Sequence, residues 1–194
     1  HAWGANLMVI CVFLHMLRTF VTGAFKKPRE MTWFIGVILF VLTMVFGFTG
    51  YLLPWNQLAY WATTVGTEVA GSIPFFGIFI KTLLRGGSSV GGETISRFFV
   101  MHVIVLPWLL TFLIVVHLFL IRFQGMATMD PVGTPEKAKP GNPFYPNHIL
   151  KEGVMLLVLL GILVTLAVLV PFELGEKADP LTTPHAIKPE WYFL

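Results

Sequence analysis

An all-α, multi-pass membrane helix bundle is the fold class this sequence predicts. Three observations lead there: the composition, four long apolar runs, and polar residues that recur inside those runs at helical spacing. The chain has 194 residues, of which 56% are hydrophobic and 12% charged. Its mean hydropathy is +0.78. A soluble domain carries about 25% charged residues, so this balance points to lipid as the solvent. Each apolar run is long enough to cross a hydrocarbon core about 30 Å thick.

The first run extends from about His1 to Phe25. No initiator Met precedes it, and the sequence stops at Glu190-Trp191-Tyr192-Phe193-Leu194 without a polar tail. We expect an internal piece of a longer membrane protein, for which no targeting segment is to be judged. The second run spans about Thr32 to Leu53 and meets Pro54, a residue that cannot continue a helical hydrogen-bond ladder. Pro54 to Ser96 is a long connection with many aromatics (Trp55, Tyr60, Trp61, Phe75, Phe76, Phe79) and few charges. Loops of that length usually carry function, and this content predicts short helices lying at the outer interface. The third run spans about Ile95 to Ile121, and a Pro- and Gly-rich connector follows from Gly125 to Asn147. The fourth spans about Gly153 to Val170 and stops at Pro171.

Basic residues orient the bundle. Arg18, Lys26, Lys27, Arg29, Arg122, Lys137, Lys139 and Lys151 fall on one side, against Lys81, Arg85, Arg97, Lys177 and Lys188 on the other. The positive-inside rule assigns the first group to the cytoplasm or its equivalent. The net charge of +3 is modest and the basic residues are spread out, which excludes nucleic acid as a partner. A single cysteine, Cys11, excludes a disulfide framework and a Cys-held iron–sulfur cluster; in an apolar helix it reads as a packed residue.

Ionisable groups within a membrane span are expensive and are functional candidates by default. His1 and His15 lie in the first run, 14 residues apart, and His102 and His117 lie in the third, 15 apart. Fourteen residues make nearly four helical turns, or roughly 21 Å along the axis; fifteen add a rotation of about 60° past four turns, which a tilted helix is expected to absorb. Paired by depth, His1 with His102 and His15 with His117, they form two stacked imidazole sites, the geometry of two bis-histidine haems. Gly36 and Gly50 in the second run repeat the 14-residue spacing and offer room for a flat ring against the backbone; Gly4, one turn after His1, is read the same way. Arg18 and Arg97 sit at the depths of the two sites and are candidates for the propionates.

The residues closely resemble the cytochrome b family of quinol-oxidising cytochrome bc and bf complexes. The resemblance covers essentially the whole chain. It rests on His1-Ala-Trp-Gly4, Cys11-Val-Phe-Leu-His15-Met-Leu-Arg18, Ile35-Gly36, Gly50-Tyr51-Leu-Leu-Pro54-Trp55-Asn-Gln57, Arg97-Phe-Phe-Val-Met-His102, His117 and above all Pro189-Glu190-Trp191-Tyr192. The 15-residue spacing, Ile121-Arg122-Phe-Gln124-Gly125 and Trp61-Ala62 look like the photosynthetic bf branch. The stretch from Pro143-Phe-Tyr-Pro146 to Lys151-Glu152 looks respiratory, and the fourth run continues in the same chain. A bacterial single-chain form with bf-like features fits this mixture. Residues 1–125 would be its haem-binding N-terminal part and residues 126–194 the start of its C-terminal part.

The resemblance implies a low-potential haem on the outer side and a high-potential haem on the inner side. It implies that Glu190, with Tyr51, Tyr192 and the Tyr60–Thr64 region, forms a quinol-oxidation pocket in which the carboxylate receives a proton. One electron would leave to the [2Fe–2S] cluster of a Rieske protein and on to a c-type cytochrome. The other would cross both haems to an inner quinone site, for which Lys151 and Glu152, with Arg122 and His148, are the candidates. Protein turnover would be coupled to proton translocation in a homodimeric complex of a bacterial plasma membrane. An additional c-type haem, present in some bf-like members, would need a Cys upstream of His1. Two other readings of the histidines remain: a dihaem ferric reductase or NADPH oxidase, and a metal or proton transporter whose ligands would cluster at one depth.

Overall fold

A computed structural model describes residues 1–125, 127, 143–185 and 187–194. The described residues form seven α-helices: α1 (Ala2–Val21), α2 (Glu30–Tyr51), α3 (Gln57–Gly71), α4 (Gly77–Arg85), α5 (Gly92–Val100), α6 (Leu106–Gln124) and α7 (Ile149–Leu169). A π turn, Met101–Val105, joins α5 to α6, and a single 3-10 turn, Trp191–Phe193, lies near the end. Among the described residues the only sheet-like pairing is one isolated antiparallel bridge between Asn56 and Lys177. The all-α expectation holds.

The four expected spans are present as Ala2–Val21, Glu30–Tyr51, the continuous rod Gly92–Gln124, and Phe144–Leu169. Most ends lie within four residues of the expected ones, and the fourth span starts nine residues earlier, at Phe144 against Gly153. Glu30 opens α2 and Glu152 lies in the first turn of α7, where a carboxylate complements the helix dipole. The predicted short helices of the long connection are α3 and α4. Asn56 starts α3 by accepting the Ala59 amide on its side chain at 2.8 Å, a good N-cap. Gly86 ends α4 in the left-handed region at φ 75°, as helix-terminating glycines do.

The chain forms two compact units. One comprises His1–Ala24 and Met126–Glu173, the other Phe25–Gly125 and Leu174–Leu194. In the first unit the Trp3 indole donates to the Val170 carbonyl at 2.8 Å, and its ring meets Phe172 edge-on at 4.9 Å. Val9 is the buried residue of α1, and α7 buries none. Cys11 is exposed, contrary to the packed position expected of it. An apolar surface of this kind is what lipid or neighbouring membrane helices cover.

The second unit holds the core. Leu52, Tyr60, Val90 and Phe98 are buried together, with Phe48, Trp55 and Trp61 packed against them. The antiparallel pair of α2 and α6 is pinned at one end where the Thr32 hydroxyl donates to Gln124 Oε1 at 2.6 Å. Nearby, Arg29 Nε donates to the Gly125 carbonyl at 2.9 Å. Gly77 is required where α4 starts, because a Cβ there would lie 2.2 Å from the Gly71 carbonyl oxygen. The basic residues Lys137 and Lys139 fall outside the described residues.

Candidate functional site

The second unit brings its expected site residues together on α2. Facing α2 from the α5–α6 rod are His102 and His117, each opposite one of the two expected glycines. A Cβ built on Gly50 would lie 2.6 Å from His102 Cε1, and one on Gly36 would lie 3.4 Å from His117 Cε1. A Cβ on Gly50 would press into the His102 imidazole and one on Gly36 would touch that of His117, so each glycine lets a ring lie close against the α2 backbone. Around His102 the Phe46 ring stands edge-on at 5.3 Å, and Thr49 Oγ1 lies 3.1 Å from Nδ1. The Thr49 hydroxyl donates to the Val45 carbonyl at 2.9 Å and is 2% exposed, so its lone pairs face the imidazole.

Two imidazoles, each beside a glycine cradle on an apolar helix, fit a haem: nitrogen donors suited to iron, with backbone close enough to accept a flat ring. In the other unit His1 precedes α1 and His15 lies within it, both exposed; α1 runs without interruption between them. A Cβ at Gly4 would meet nothing within 4 Å among the described residues. Arg18, in the last turn of α1, is exposed. Arg97 is engaged within its own unit: its Nη1 donates to the Leu83 carbonyl, and its guanidinium lies beside Gly86, so it caps the end of α4. Among the described residues no three of His, Cys, Asp and Glu gather into a metal cluster of the kind a transporter reading predicts.

Tyr51, Glu190 and Tyr192 form the second group. They are 139 or more residues apart for the first pair in sequence (51 to 190), yet share one electrostatic environment. Burial, then the Glu190 charge, then Tyr51, push the Tyr192 phenol up to about 12, so it is a neutral O–H across the physiological range. Tyr192 reaches this place by packing on Gly47, where a Cβ would meet its ring at 2.9 Å and the Phe193 ring at 3.5 Å. Tyr60 is buried between Trp55 and Trp61, with ring centroids at 5.5 Å and 5.4 Å.

Chain return to this place is set by residues to which the sequence reading gave no role. Asn56 Nδ2 donates to the Leu174 carbonyl at 2.7 Å. The Gln57 amide donates to the Glu176 carbonyl at 2.9 Å, Gln57 Nε2 to the Thr182 carbonyl at 3.0 Å, and the Asp179 amide to Gln57 Oε1 at 2.9 Å. Thr49 was missed as well; a hydroxyl beside a candidate cradle glycine was the available signal. The inner-side candidates are less assembled. His148 Nε2 and Glu152 Oε1 are 3.8 Å apart and exposed, and Lys151 and Arg122 are exposed at the start of α7 and the end of α6.

With this geometry in hand, the comparisons with known proteins are specific. The family described as Cytochrome b(N-terminal)/b6/petB matches residues 6–177. The chain is 47% identical over 196 aligned positions to a cytochrome bc complex cytochrome b subunit of Chlorobaculum thiosulfatiphilum, covering 100% of this chain and 45% of that protein. It is 50% identical over 132 positions to cytochrome b6 of Heliobacterium mobile, covering 68% of this chain and 61% of the relative. A solved structure titled Hyperthermophilic respiratory Complex III superposes with a TM-score of 0.85 at 35% identity, covering 100% of this chain and 53% of the other. The chain thus spans about half the length of the proteins it matches.

Proposed function

This chain belongs to the cytochrome b N-terminal/b6 family, and from that premise we propose that it is the cytochrome b part of a quinol-oxidising complex. The observation that carries the reading is the gathering of Glu190, Tyr51 and Tyr192 beside the α2 segment whose Gly50 faces His102. A proton acceptor and a haem-type imidazole level thereby share one short stretch of helix.

His1 with His102, and His15 with His117, would hold the iron of the two haems, paired as their depths in the sequence set them. Gly36 and Gly50 give the ring room, Gly4 does so beside His1, and Arg18 and Arg97 meet the propionates. When bound, each b-type haem supplies reversible one-electron chemistry. Quinol surrenders two protons and two electrons. The Glu190 carboxylate takes a proton from a quinol hydroxyl, the task of a positioned general base. Tyr192 stays protonated and offers a hydrogen bond instead of competing for that proton. One electron leaves to the [2Fe–2S] cluster of a Rieske partner and then a c-type cytochrome. The other crosses the membrane to reduce a second quinone. Lys151, Glu152 and His148 bind that quinone on the inner side and supply its protons, and Arg122, which keeps its charge, binds it without giving a proton. The four apolar helices and the relatives' names support a multi-pass membrane protein of a bc-type complex; the reading extends this to a bacterial plasma membrane and a dimeric complex, and a further c-type haem depends on sequence upstream of His1.

The test uses the full-length protein in its complex. Two b-type haems with separable midpoint potentials are expected, and quinol should reduce them. Glu190→Gln should slow quinol oxidation by roughly a hundredfold, the low end of general-base effects, with the haem spectrum unchanged. Normal turnover in that variant would remove Glu190 from the proton path. A protein that takes electrons from NADPH and not from quinol would favour the reductase reading.

A further inference from the structure

The α5–α6 rod contains one irregularity, and it falls on a candidate iron ligand. Met101–Val105 is a π turn that includes His102, closed by the Leu106 amide donating to the Met101 carbonyl five residues back. On either side the rod is α-helical, from Gly92 to Val100 and from Leu106 to Gln124. Pro107 lies in the first turn of α6. It has no N–H to give to the carbonyl of Val103, and its ring would press on that carbonyl in a regular α-helix. A wider turn relieves both problems.

We propose that this π turn is a register device, held by Pro107, which absorbs one residue so that His102 and His117 face the same neighbour. The proposal rests on the reading of these histidines as haem ligands. In a pure α-helix 15 residues turn about 60° past four full turns, whereas 14 stop about 40° short. A π turn closes its hydrogen bond one residue later and takes in one residue more than an α turn. With one residue absorbed, the 15-residue pair has the phase of a 14-residue pair.

The contacts with α2 bear this out at both levels. Gly50 and Gly36 are 14 residues apart on uninterrupted α-helix, yet they face His102 and His117, which are 15 apart. The antiparallel pairing between α2 and the rod therefore slips by one residue between the two levels. The π turn is the one place in that interval where the rod departs from α-helix. Pro107 is thus a positioning residue for His102, and the tilt expected from the sequence is not needed.

Single-residue deletions in the full-length complex separate this from general disruption, with haem per polypeptide and the low-spin ferric electron paramagnetic resonance signals as readouts. Deleting Ile104, inside the turn, should let the segment close to α-helix and leave two haems. Deleting Leu110, beyond Pro107, should swing His117 by about 100° and reduce two haems to one. Equal haem loss in both variants, or two haems in both, would overturn the proposal. Should neither variant accumulate, Pro107→Ala decides without changing chain length. It should shift the low-spin signal of one haem and leave the other in place, and two unshifted signals would overturn the role of Pro107. A haem-free wild-type complex would remove the ligand reading and the register proposal together.

Discussion

Thr49 illustrates how much a single hydroxyl can contribute beside a metal ligand. Its lone pairs face His102 Nδ1 at 3.1 Å while its proton goes to the Val45 carbonyl. In the tautomer whose Nδ1–H donates to Thr49, that hydrogen bond makes the imidazole a more basic ligand. Such outer partners typically change metal affinity about 10–100-fold when removed. Thr49→Val should therefore raise the midpoint potential of the haem on His102 in a redox titration, because the more basic imidazole favours ferric iron. An unmoved potential would mean that the contact does not tune the ligand. Tyr192 gives a second prediction at this scale. Its phenol is pushed up to about 12, first by burial and then by Glu190, so the folded state holds the proton more tightly than the unfolded one. The stability it contributes is complete below the ordinary tyrosine range near 10 and is lost as pH rises through about 12. In a phenolate absorbance titration, Glu190→Gln should lower the Tyr192 midpoint while leaving it above about 10, since burial remains; an unchanged midpoint would break the link between the two groups. The imidazoles stood out as ionisable residues in apolar runs and the glycines by their matching spacing, while Glu190 was suggested by motif resemblance. Thr49 did not stand out, because a threonine whose hydroxyl returns to its own helix is common in membrane spans.

Between residues and whole units, the α3–α4 hairpin shows why charge counting alone misreads a side chain. Lys81 and Arg85 were both counted as outer-side charges, but Arg85 is 3% exposed. Its Nε donates to Thr67 Oγ1 at 2.7 Å and its Nη2 to the Thr64 carbonyl at 2.9 Å. Glu68 bridges the helices, accepting Lys81 at 2.7 Å and Arg85 at 2.9 Å. The Lys81 hydrogen bond is the main reason the Glu68 carboxyl is held below its ordinary range. A depressed folded value gives stability that is present above the usual carboxylate range and lost as pH falls through the lower one. Because Glu68 is solvated, its clamp is weak, and Glu68→Gln should change hydrogen exchange in α3 and α4 only slightly. Arg85→Met strands buried acceptors and leaves Glu68 with one partner. Leaving a buried neutral acceptor unsatisfied costs about 1–3 kcal/mol, and exchange across the hairpin should accelerate strongly. Equal effects of the two substitutions would refute this ranking. The four spans and the presence of short helices were readable from hydropathy, which sums over many residues. The π turn was not, because one absorbed residue leaves no periodic signature in an apolar rod; Pro107 and the odd 15-residue spacing were its only traces.

Across the second unit, the decisive feature is the return of the Leu174–Leu194 segment to α2 and α3. Motif resemblance placed Glu190 in a pocket with Tyr51, but the sequence held no account of how the ends of a 139-residue separation meet. The physical answer is a latch in which Asn56 and Gln57, at the start of α3, satisfy backbone groups of the returning segment. Asn56 does two jobs, capping α3 through Oδ1 and binding the Leu174 carbonyl through Nδ2. Gln57 is used at both ends of its amide, donating to Thr182 and accepting from Asp179, while the Ala178 amide donates to the Trp55 carbonyl at 3.0 Å. On the segment itself, Asp179 accepts the Thr182 hydroxyl at 2.7 Å and the Leu181 amide at 2.9 Å, and the Thr182 bond is the main cause of its lowered carboxyl pKa. Acidification through that lowered range protonates Asp179 and weakens the turn that presents Thr182 to Gln57. Gln57→Ala removes two of the cross-links without touching Glu190, Tyr51 or Tyr192. Each such hydrogen bond contributes about 1 kcal/mol net, so the segment should loosen without the unit unfolding. Amide exchange at Asp179 should rise and quinol oxidation should fall, while haem content stays at the wild-type level. Because the loss is one of positioning, the fall in rate should be smaller than for Glu190→Gln, and combining the two should add little to the single Glu190 variant. Full oxidation rates in Gln57→Ala despite faster exchange at Asp179 would show that the packing of Tyr192 and Phe193 on Gly47 suffices to hold the carboxylate in place.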